Sequence, residues 1–456
     1  MTGFLGLGLC VLLSAADAPR AVVYEVSAGK YERRDVPLIV PLPKGWENEV
    51  GLSLLDLETN RPVSVQVVPY HVKGFYGVSW IVRAAIPAGK TRRYRLSNEL
   101  SKAAAERSVH AFHDGRPERV ELDEPGRVNP EPKARTLTLK VGDRPVLTYH
   151  AAITRPPAGI DPVFARGGFL HPLQTPSGAV VTDDFPPDHA HQHGVFFAWV
   201  NTTFEGRRVD FWNQKTRTGR VEPDTAAAYE TDVSGGPVFG ELLATLRHDD
   251  LTAPANPRIQ ILGKDVTPPE PKLVLREEWL ILVYDLDGMF VVDFQSAQHI
   301  DHHPLLINKY HYGGFGLRGN RAWLDPTVTG DDAPDPAKSA ASDFLTSDGK
   351  RRSDGNHTRP RWVDLSGRVN GKFAGVTVLD DPSNFRFPQP VRLHPNKPYF
   401  CFAPMVEDAF TLQVGKPYVS RYRLLLHDGP PDKEAIERAW RDYAEPPEVR
   451  VVDAGK

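Results

Sequence analysis

The apolar runs of this chain are short, alternate with polar residues and end at Pro or Gly, and this pattern limits the possible folds more than any other feature. Val63, Val65 and Val67, for example, alternate with Ser64 and Gln66, which is the period of a strand buried on one face. Similar runs occupy 36–40, 79–84, 273–275, 280–284, 290–294, 374–379 and 422–426. Because these strands do not alternate with helical segments, the sequence disfavours a doubly wound sheet and a TIM barrel. It predicts an all-β fold of antiparallel sheets stacked face to face.

Turn signals and composition divide the chain into a small N-terminal unit and a larger one. The short runs predict a β-sandwich unit over 20–105, followed at 106–135 by a linker or excursion rich in Pro and charge. A hairpin signal opens the larger unit, which we expect to extend over 136–430. Irregular stretches at 250–271 and 332–360 interrupt it, and we expect the second to border the functional site.

One helix is predicted near the C-terminus, within a segment of helix and tail at 431–456. Ile436, Ala439, Trp440 and Tyr443 would share one face of it, after Asp432 as the N-cap. We expect this helix to brace the larger unit.

The first residues resemble a secretory signal peptide, expected over 1–18. Residues 4–16 form a short apolar run that ends in small residues, although no Lys or Arg precedes it, and a buried first strand is the alternative. Since no later run reaches about 18 apolar residues, we expect a periplasmic or extracellular protein without a membrane span. Cys10 and Cys401 are the only cysteines, so no disulfide is expected after cleavage.

The charge balance excludes some partners. A net charge of -3 provides no basic surface for nucleic acid or for an anionic membrane. We therefore expect the partner to be a small molecule.

The densest group of chemically active side chains lies at 183–194, which includes Asp184. If the segment is extended, His189, His191 and His193 point to the same side, and neutral imidazoles could hold zinc, copper or iron. Alternatively, the Pro186-Pro187 pair forms a loop, and the histidines bind substrate, transfer protons or serve the core. If the histidines belong to such a loop, no cofactor is expected.

A second group combines His311 with Arg318 and several glycines. His311 could transfer a proton, Arg318 offers a fixed pair of donors, and the glycines let the backbone approach a ligand. Glu277 lies in a strongly apolar strand, where a carboxylate needs either a partner or a chemical role. Further candidates for holding a sugar ring or its hydroxyls are Trp212, Arg361 and Asn384.

Six ordered motifs lie between about 137 and 429, namely 169–178, 184–194, 209–212, 310–318, 361–364 and 381–384. Together they resemble a bacterial family labelled methane oxygenase PmoA-like, from which the chain departs at Gln192-His193 and Asp380-Asp381. Methane oxidation is not implied, because the genuine monooxygenase subunit spans the membrane several times. The family is similar in architecture to the galactose-mutarotase-like β-supersandwich. That similarity implies carbohydrate chemistry with a histidine as general acid and a carboxylate as base.

These observations predict an exported carbohydrate-active enzyme, such as an epimerase, lyase or hydrolase. The expected catalytic residues are His191, His311, Asp184 and Glu277. The expected substrate-binding residues are His189, His193, Trp212, Arg318, Arg361 and Asn384. Two alternatives remain open, a sugar-binding protein without turnover and a metal-dependent oxygenase or hydrolase that uses His189, His191 and His193.

Overall fold

The computed structural model describes residues 20–47, 49, 51–98, 109–114, 136–224, 231–254, 260–261, 264–265, 271–324 and 342–452. These residues form antiparallel β-sheets, which confirms the predicted all-β class. The signal peptide predicted at 1–18 and most of the linker predicted at 106–135 lie outside the described residues. None of the described helices is long and apolar enough to cross a membrane.

The strands, in chain order, are β1 (Ala21–Ser27), β2 (Val36–Pro41), β3 (Ser53–Asp56), β4 (Arg61–Val63), β5 (Gln66–Val68), β6 (Gly77–Val82), β7 (Thr91–Ser97), β8 (Val109–Asp114), β9 (Thr136–Val141), β10 (Arg144–His150), β11 (Leu170–Leu173), β12 (Val195–Ala198), β13 (Thr202–Phe204), β14 (Arg207–Val209), β15 (Gly219–Pro223), β16 (Asp232–Ser234), β17 (Phe239–Asp250), β18 (Gln260–Ile261), β19 (Lys264–Asp265), β20 (Lys272–Leu286), β21 (Met289–His299), β22 (Leu305–Ile307), β23 (Gly314–Arg318), β24 (Ser342–Thr346), β25 (Trp362–Val369), β26 (Lys372–Asp380), β27 (Val391–Leu393), β28 (Tyr399–Phe402), β29 (Phe410–Leu412), β30 (Tyr418–Asp428) and β31 (Glu448–Val452). The α-helices are α1 (Tyr70–Lys73), α2 (Arg352–Gly355) and α3 (Lys433–Ala444).

The N-terminal residues form two small sheets that share one core. β1, β3, β4 and β7 belong to the first sheet, and β2, β5 and β6 form the second. Trp80 of the second sheet lies between Tyr24 and Tyr94 of the first, with ring centroids 5.6 and 5.5 Å apart. These rings fill the space between the sheets, because aromatic side chains bury a large area each.

The last strand of the chain joins this N-terminal unit. β31 pairs antiparallel with β1, so that Val452 lies opposite Val23 and Glu448 lies opposite Ser27. The predicted C-terminal tail therefore contains a strand that the sequence analysis did not identify. Its five residues are too few to show a clear alternation.

Two long sheets form the larger unit. The first has eight strands in the order β27-β28-β23-β12-β11-β10-β9-β8, and the second follows β15-β17-β20-β21-β30-β26-β25-β24, with β16 paired to β17. Phe315 of the first sheet contacts Phe294 and Tyr422 of the second, at centroid distances of 5.1 and 4.3 Å. The sheets therefore stack face to face, as predicted.

Two runs predicted as separate strands, 273–275 and 280–284, belong to the single strand β20. The charged residues between them alternate in burial, with Arg276 and Glu278 exposed and Glu277 buried. The strand continues through this stretch because its period of two is kept.

Helix α3 confirms the predicted C-terminal helix. Asp432 caps it by accepting hydrogen bonds from the backbone N–H groups of Glu434 and Ala435. Ile436 and Trp440 are buried in a cluster that also contains Ile81 of the N-terminal unit and Leu425 of the larger unit, among others. The helix thus braces both units.

Candidate functional site

The candidate site lies on the outer face of the eight-stranded sheet, around β23 and β28. Side chains alternate along these strands, so that Leu317 and Phe400 point into the core. Gly316, Arg318 and Tyr399 point to the opposite side, where Arg318 lies directly across from Tyr399. Loops cover this outer face and leave a cleft.

Four aromatic rings pack together over Gly316, and we call them the aromatic floor: Trp212, Phe196, Tyr312 and Tyr399. The Trp212 ring is 4.6 Å from Phe196, 5.6 Å from Tyr312 and 6.0 Å from Tyr399, measured between ring centroids. A Cβ atom at Gly316 would lie 2.8 Å from the Trp212 ring, so only glycine leaves room for it. Trp212 itself is 1% exposed and supports the floor from within, rather than facing a sugar as the sequence analysis expected.

The histidine-rich segment covers one side of this floor as a loop. Asp184 and His193 pair at its neck, where Asp184 Oδ1 and His193 Nδ1 are 2.5 Å apart. Between them, the N–H of His189 donates to Pro186 O at 3.0 Å and the N–H of Gln192 donates to His189 O at 2.8 Å. These turns replace the extended conformation that would align the three histidines.

The histidines therefore do not converge, and the segment follows the alternative prediction of a loop, because the proline pair leads into turns. The rings of His189 and His191 are 5.4 Å apart, whereas His193 packs against Phe169 and Phe185, each at 4.7 Å. In the part of the chain that the structure describes, no group of three or more His, Cys, Asp and Glu side chains is arranged to hold a metal ion.

The loop borders a cleft of about 270 Å³. Its lining combines one aromatic ring, two imidazoles, a carboxylate, two amides and an ammonium group. The lining residues are Phe164, Pro187, Asp188, His189, Ala190, His191, Asn213, Gln214 and Lys215. A small, largely polar ligand fits such a lining better than an apolar one.

Asp188 is the fixed anion of the cleft. Its two oxygens accept hydrogen bonds from Arg318 at 3.0 and 2.8 Å, and Arg318 also donates to Gln192 Oε1 at 3.0 Å. Burial alone would raise the pKa of Asp188, but the hydrogen bond to His189 and the Arg318 guanidinium outweigh it and hold the pKa below its usual range. Arg318 is fully buried and positions Asp188 rather than a ligand.

His189 lies between this carboxylate and a buried ammonium group. Its Nδ1 is 3.2 Å from Asp188 Oδ2 and 3.1 Å from Lys397 Nζ. Its ring centroid is 5.9 Å from that of His394. Because Nδ1 faces inward and the side chain is 22% exposed, Nε2 is the nitrogen available to a ligand.

His191 and the Asp184–His193 pair occupy drier surroundings. Burial, together with the neighbouring His189 and His193, lowers the pKa of His191 to about 3. Burial raises the pKa of Asp184 to about 6 and holds that of His193 well below its usual value. At neutral pH both imidazoles are therefore uncharged.

Glu277 does not lie at the cleft. It is fully buried and accepts hydrogen bonds from Trp279 Nε1 at 2.8 Å and Ser296 Oγ at 2.5 Å, while its other oxygen is 2.7 Å from His248 Nε2. Both carboxylate oxygens are thus engaged within the core. The structure gives Glu277 a partner rather than a position beside a substrate.

Two expected binding residues fasten other parts of the molecule. Arg361 donates to Glu437 of α3, and its guanidinium lies 4.5 Å from the Trp440 ring centroid. Asn384 is buried and donates to Asp380 Oδ1 at 2.8 Å. Both residues were predicted to bind hydroxyl groups from their polarity. The sequence alone does not show that their polar atoms are already bonded to Glu437 and Asp380.

His311 lies beside the aromatic floor, outside the cleft lining. Its ring is 4.8 Å from that of Tyr312, whose hydroxyl accepts a hydrogen bond from Asn213 Nδ2 at 3.0 Å. Asn213 lines the cleft, whereas His311 does not, so Tyr312 lies between His311 and the cleft.

Three residues around His189 were not predicted from the sequence as parts of the site, namely Asp188, His394 and Lys397. Asp188 directly precedes His189, so the adjacent acid and imidazole were a usable signal. Lys397 follows β27 and is 208 residues from His189 in sequence, so no local pattern could associate them.

A larger cleft, of about 610 Å³, lies between the N-terminal unit and the larger unit. Several of its charged side chains are engaged, since Arg92 pairs with Asp56 and Arg83 donates to the backbone carbonyl of Asp285 at 2.7 Å. Among the described residues, no histidine lines it. We therefore place the candidate site at the smaller cleft.

Together, these observations define an all-β protein with a polar cleft beside an Asp–His pair. The chain belongs to the family of unknown function DUF6807, whose model matches residues 136–441. The matched family carries no methane-oxygenase name, so the expected PmoA-like membership has no support. No curated protein matches the chain.

Several solved structures share weak similarity with the chain. An alpha-mannosidase from Enterococcus faecalis V583 matches at a TM-score of 0.40 and 11% identity, covering 96% of this chain and 46% of the mannosidase. A glycosyl hydrolase family 38 protein from Enterococcus faecalis matches at 0.37 and 11%, covering 96% and 48%. A galactose mutarotase related enzyme from Lactobacillus acidophilus matches at 0.27 and 11%, covering 64% and 94%. The chain spans about half the length of the first two, and superpositions this loose assign no activity to it.

Proposed function

We propose that the cleft binds a sugar and that His189 transfers a proton to or from it, with Asp188 as the orienting carboxylate. The observation that carries this proposal is the position of His189, whose Nδ1 contacts Asp188 at 3.2 Å while the residue lines a cleft. A carboxylate that holds one imidazole nitrogen also stabilises the protonated ring, which suits general acid–base chemistry.

The contacts of His189 permit both directions of proton transfer. When Nδ1 carries a proton, it donates to Asp188, and Nε2 offers a lone pair to the ligand. Protonation of Nε2 gives the imidazolium, which Asp188 stabilises and which returns the proton from Nε2 as the general acid. When Nδ1 carries no proton, it accepts from Lys397 Nζ, which is 3.1 Å away. The ring is anchored in either state, so it need not move when it acts as base or as acid.

The rest of the lining suits a polyhydroxylated ring. Asn213 and Gln214 supply amide donors and acceptors, and Phe164 supplies an apolar face for ring C–H groups. The cleft volume is close to the lower end of the roughly 300–1,000 Å³ of small-molecule sites, which leaves room for one sugar ring. Proton transfer is the step shared by sugar epimerisation, elimination and glycoside hydrolysis.

His189, rather than the predicted His191, takes the proton-transfer role in this proposal. A histidine with a pKa near 3 carries no proton to donate at neutral pH, so His191 serves as a hydrogen-bonding group. Export to the periplasm or the exterior remains part of the proposal and rests on the apolar run at 4–16. N-terminal sequencing of the protein secreted by its host would test it.

The proposed function is tested by turnover of reducing sugars and aryl glycosides. Anomer interconversion is followed by NMR and aglycone release by absorbance, for the wild type and for His189→Gln, Asp188→Asn and His302→Gln. Loss of general acid–base catalysis reduces rates by about 100-fold or more, so His189→Gln should show that loss. His302 is exposed and lies outside the cleft lining, so its variant should match the wild type.

Two outcomes would contradict this proposal. Sugar binding without turnover by any variant would indicate a binding protein. Activity that is abolished by chelators and restored by a stoichiometric metal would favour the metal-dependent alternative.

A further inference from the structure

Arg392 has the properties of a ligand-binding group that the proposed mechanism does not use. It lies on β27 opposite Cys401, on the same outer face as Tyr399. Its side chain is half-buried, yet no hydrogen bond or ion pair from the described residues reaches its guanidinium. A partly buried cation without acceptors is costly, and the five donors of arginine form a fork that fits two oxygens of an anion.

Two histidines, His311 and His357, lie near the strand that carries Arg392. The backbone N–H of His357 donates to Val391 O at 2.7 Å, and its Nε2–H donates to His311 O at 3.2 Å. His357 thereby connects the strand that carries Arg392 with the segment that carries His311. It does so at a φ of +60°, a left-handed conformation that costs energy for a residue other than glycine.

Among the described residues, no carboxylate forms an ion pair with these three side chains. Burial lowers the pKa of His311, and the neighbouring Arg392 and His357 lower it further. We call Arg392, His311 and His357 the Arg392 patch. It presents positive charge and hydrogen-bond donors that the described residues do not satisfy.

Two side-chain contacts connect the surroundings of the Arg392 patch with residues of the cleft. His394 directly follows β27, two residues after Arg392, which places their Cα atoms roughly 7 Å apart. The His394 ring is 5.9 Å from that of His189. On the other side, His311 adjoins Tyr312, whose hydroxyl bonds to Asn213 of the cleft. One sugar ring in the cleft can therefore extend a substituent toward Arg392.

We propose that the Arg392 patch binds the anionic group of an acidic sugar whose ring occupies the cleft. This inference rests on the proposed function and specifies its substrate class as uronic acids or sulfated sugars, in place of neutral hexoses. A carboxylate and a sulfate ester each present two oxygens to the arginine fork. A neutral sugar offers the guanidinium hydroxyl acceptors but no negative charge to pair with.

The test compares acidic and neutral sugars by titration calorimetry. Glucuronate, galacturonate, glucose 6-sulfate and glucose are titrated into the wild type, Arg392→Gln and Arg95→Gln. Arg95 is an exposed arginine of β7 in the N-terminal unit and serves as the matched control. We expect at least one acidic sugar to bind tenfold or more tightly than glucose, and this preference to be lost in Arg392→Gln and kept in Arg95→Gln.

The sulfate and carboxylate arms identify the source of the anion. Equal affinity for glucose and the acidic sugars, no binding of any acidic sugar, or unchanged binding by a folded Arg392→Gln would each overturn the inference. Thermal unfolding of each variant establishes that it is folded. His189→Gln separates the two proposals, because it should lose turnover while retaining the preference for acidic sugars, whereas Arg392→Gln should lose that preference.

Discussion

Replacing Glu277 by Gln separates a structural carboxylate from a catalytic one. The side chain is fully buried, and its two oxygens contact Trp279, Ser296 and His248 at 2.8, 2.5 and 2.7 Å. Glutamine keeps the volume and can still accept from the first two, but its amide nitrogen would face His248 Nε2. Because a hydrogen bond to a charged group contributes about 1.5–3 kcal/mol, we expect a loss of about 2–3 kcal/mol.

The assay is thermal unfolding, followed by tryptophan fluorescence. At about 2 °C per kcal/mol for a large domain, the expected fall in Tm is about 4–6 °C. Burial raises the pKa of Glu277, but the His248, Ser296 and Trp279 contacts outweigh it, so the folded pKa lies below the usual value. The stabilisation is therefore present above the usual Glu pKa and is lost as pH falls through the folded pKa. The stability difference between wild type and Glu277→Gln should shrink under acid.

The activity of Glu277→Gln provides the second readout. Because Glu277 does not line the cleft, sugar binding and turnover per folded molecule should equal those of the wild type. A Tm equal to that of the wild type, or a folded variant without activity, would refute the structural assignment. His248→Gln is the matched partner variant, and the double variant should lose less than the sum of the two single losses, since they remove the same interaction.

Three further predictions concern the aromatic floor, the loop at 183–194 and the second long sheet. Gly316→Ala places a methyl group against Trp212 and should cost about 1–3 kcal/mol and weaken ligand binding, measured by thermal unfolding and calorimetry. Asp184 has its folded pKa raised to about 6 by burial, so its stabilising effect is greatest at low pH and declines as pH rises from 4 to 6. Asp184→Asn should remove this decline from the Tm profile. Burial lowers the pKa of His427, but the hydrogen bond to Asp364 at 2.8 Å outweighs burial, so the pKa in the folded state lies above its usual value. The stability that this pair contributes should therefore be lost as the pH rises through the folded-state pKa of His427. A flat Tm between pH 6 and 9 would contradict this assignment.

The sequence predicted the elements whose pattern is local. The period of two in the strands and the apolar face of α3 both depend on neighbours within a few residues, so they could be identified. The single strand predicted across Val63, Val65 and Val67 was wrong, because the run divides between β4 and β5 of two sheets and Val67 is exposed. β31 was missed because it is short and gains its stability by pairing with β1, more than 400 positions earlier. The site was predicted in part for the same reason, since the loop at 183–194 was located but its conformation was not.

The roles of individual residues depended on distant contacts. Trp212 became a floor residue because Gly316 leaves space beneath it, and Arg361 became a helix anchor because Glu437 lies within reach. Arg392 was not a candidate, because an arginine in a strand resembles any other until its partners are known. Residue type therefore limits the possible chemistry, and tertiary contacts select among the possibilities.

The two Asp–His pairs of the loop show how burial selects a role. Asp184–His193 lies among aromatic rings, where burial raises the pKa of Asp184 to about 6 and keeps His193 neutral, so this pair closes the neck of the loop. Asp188–His189 lies beside Arg318, which keeps Asp188 ionised and able to stabilise a protonated imidazole. The pairs lie within ten residues of each other and contain the same groups. Only the second combines an ionised carboxylate with an imidazole that reaches the cleft, and the proposed proton transfer uses both.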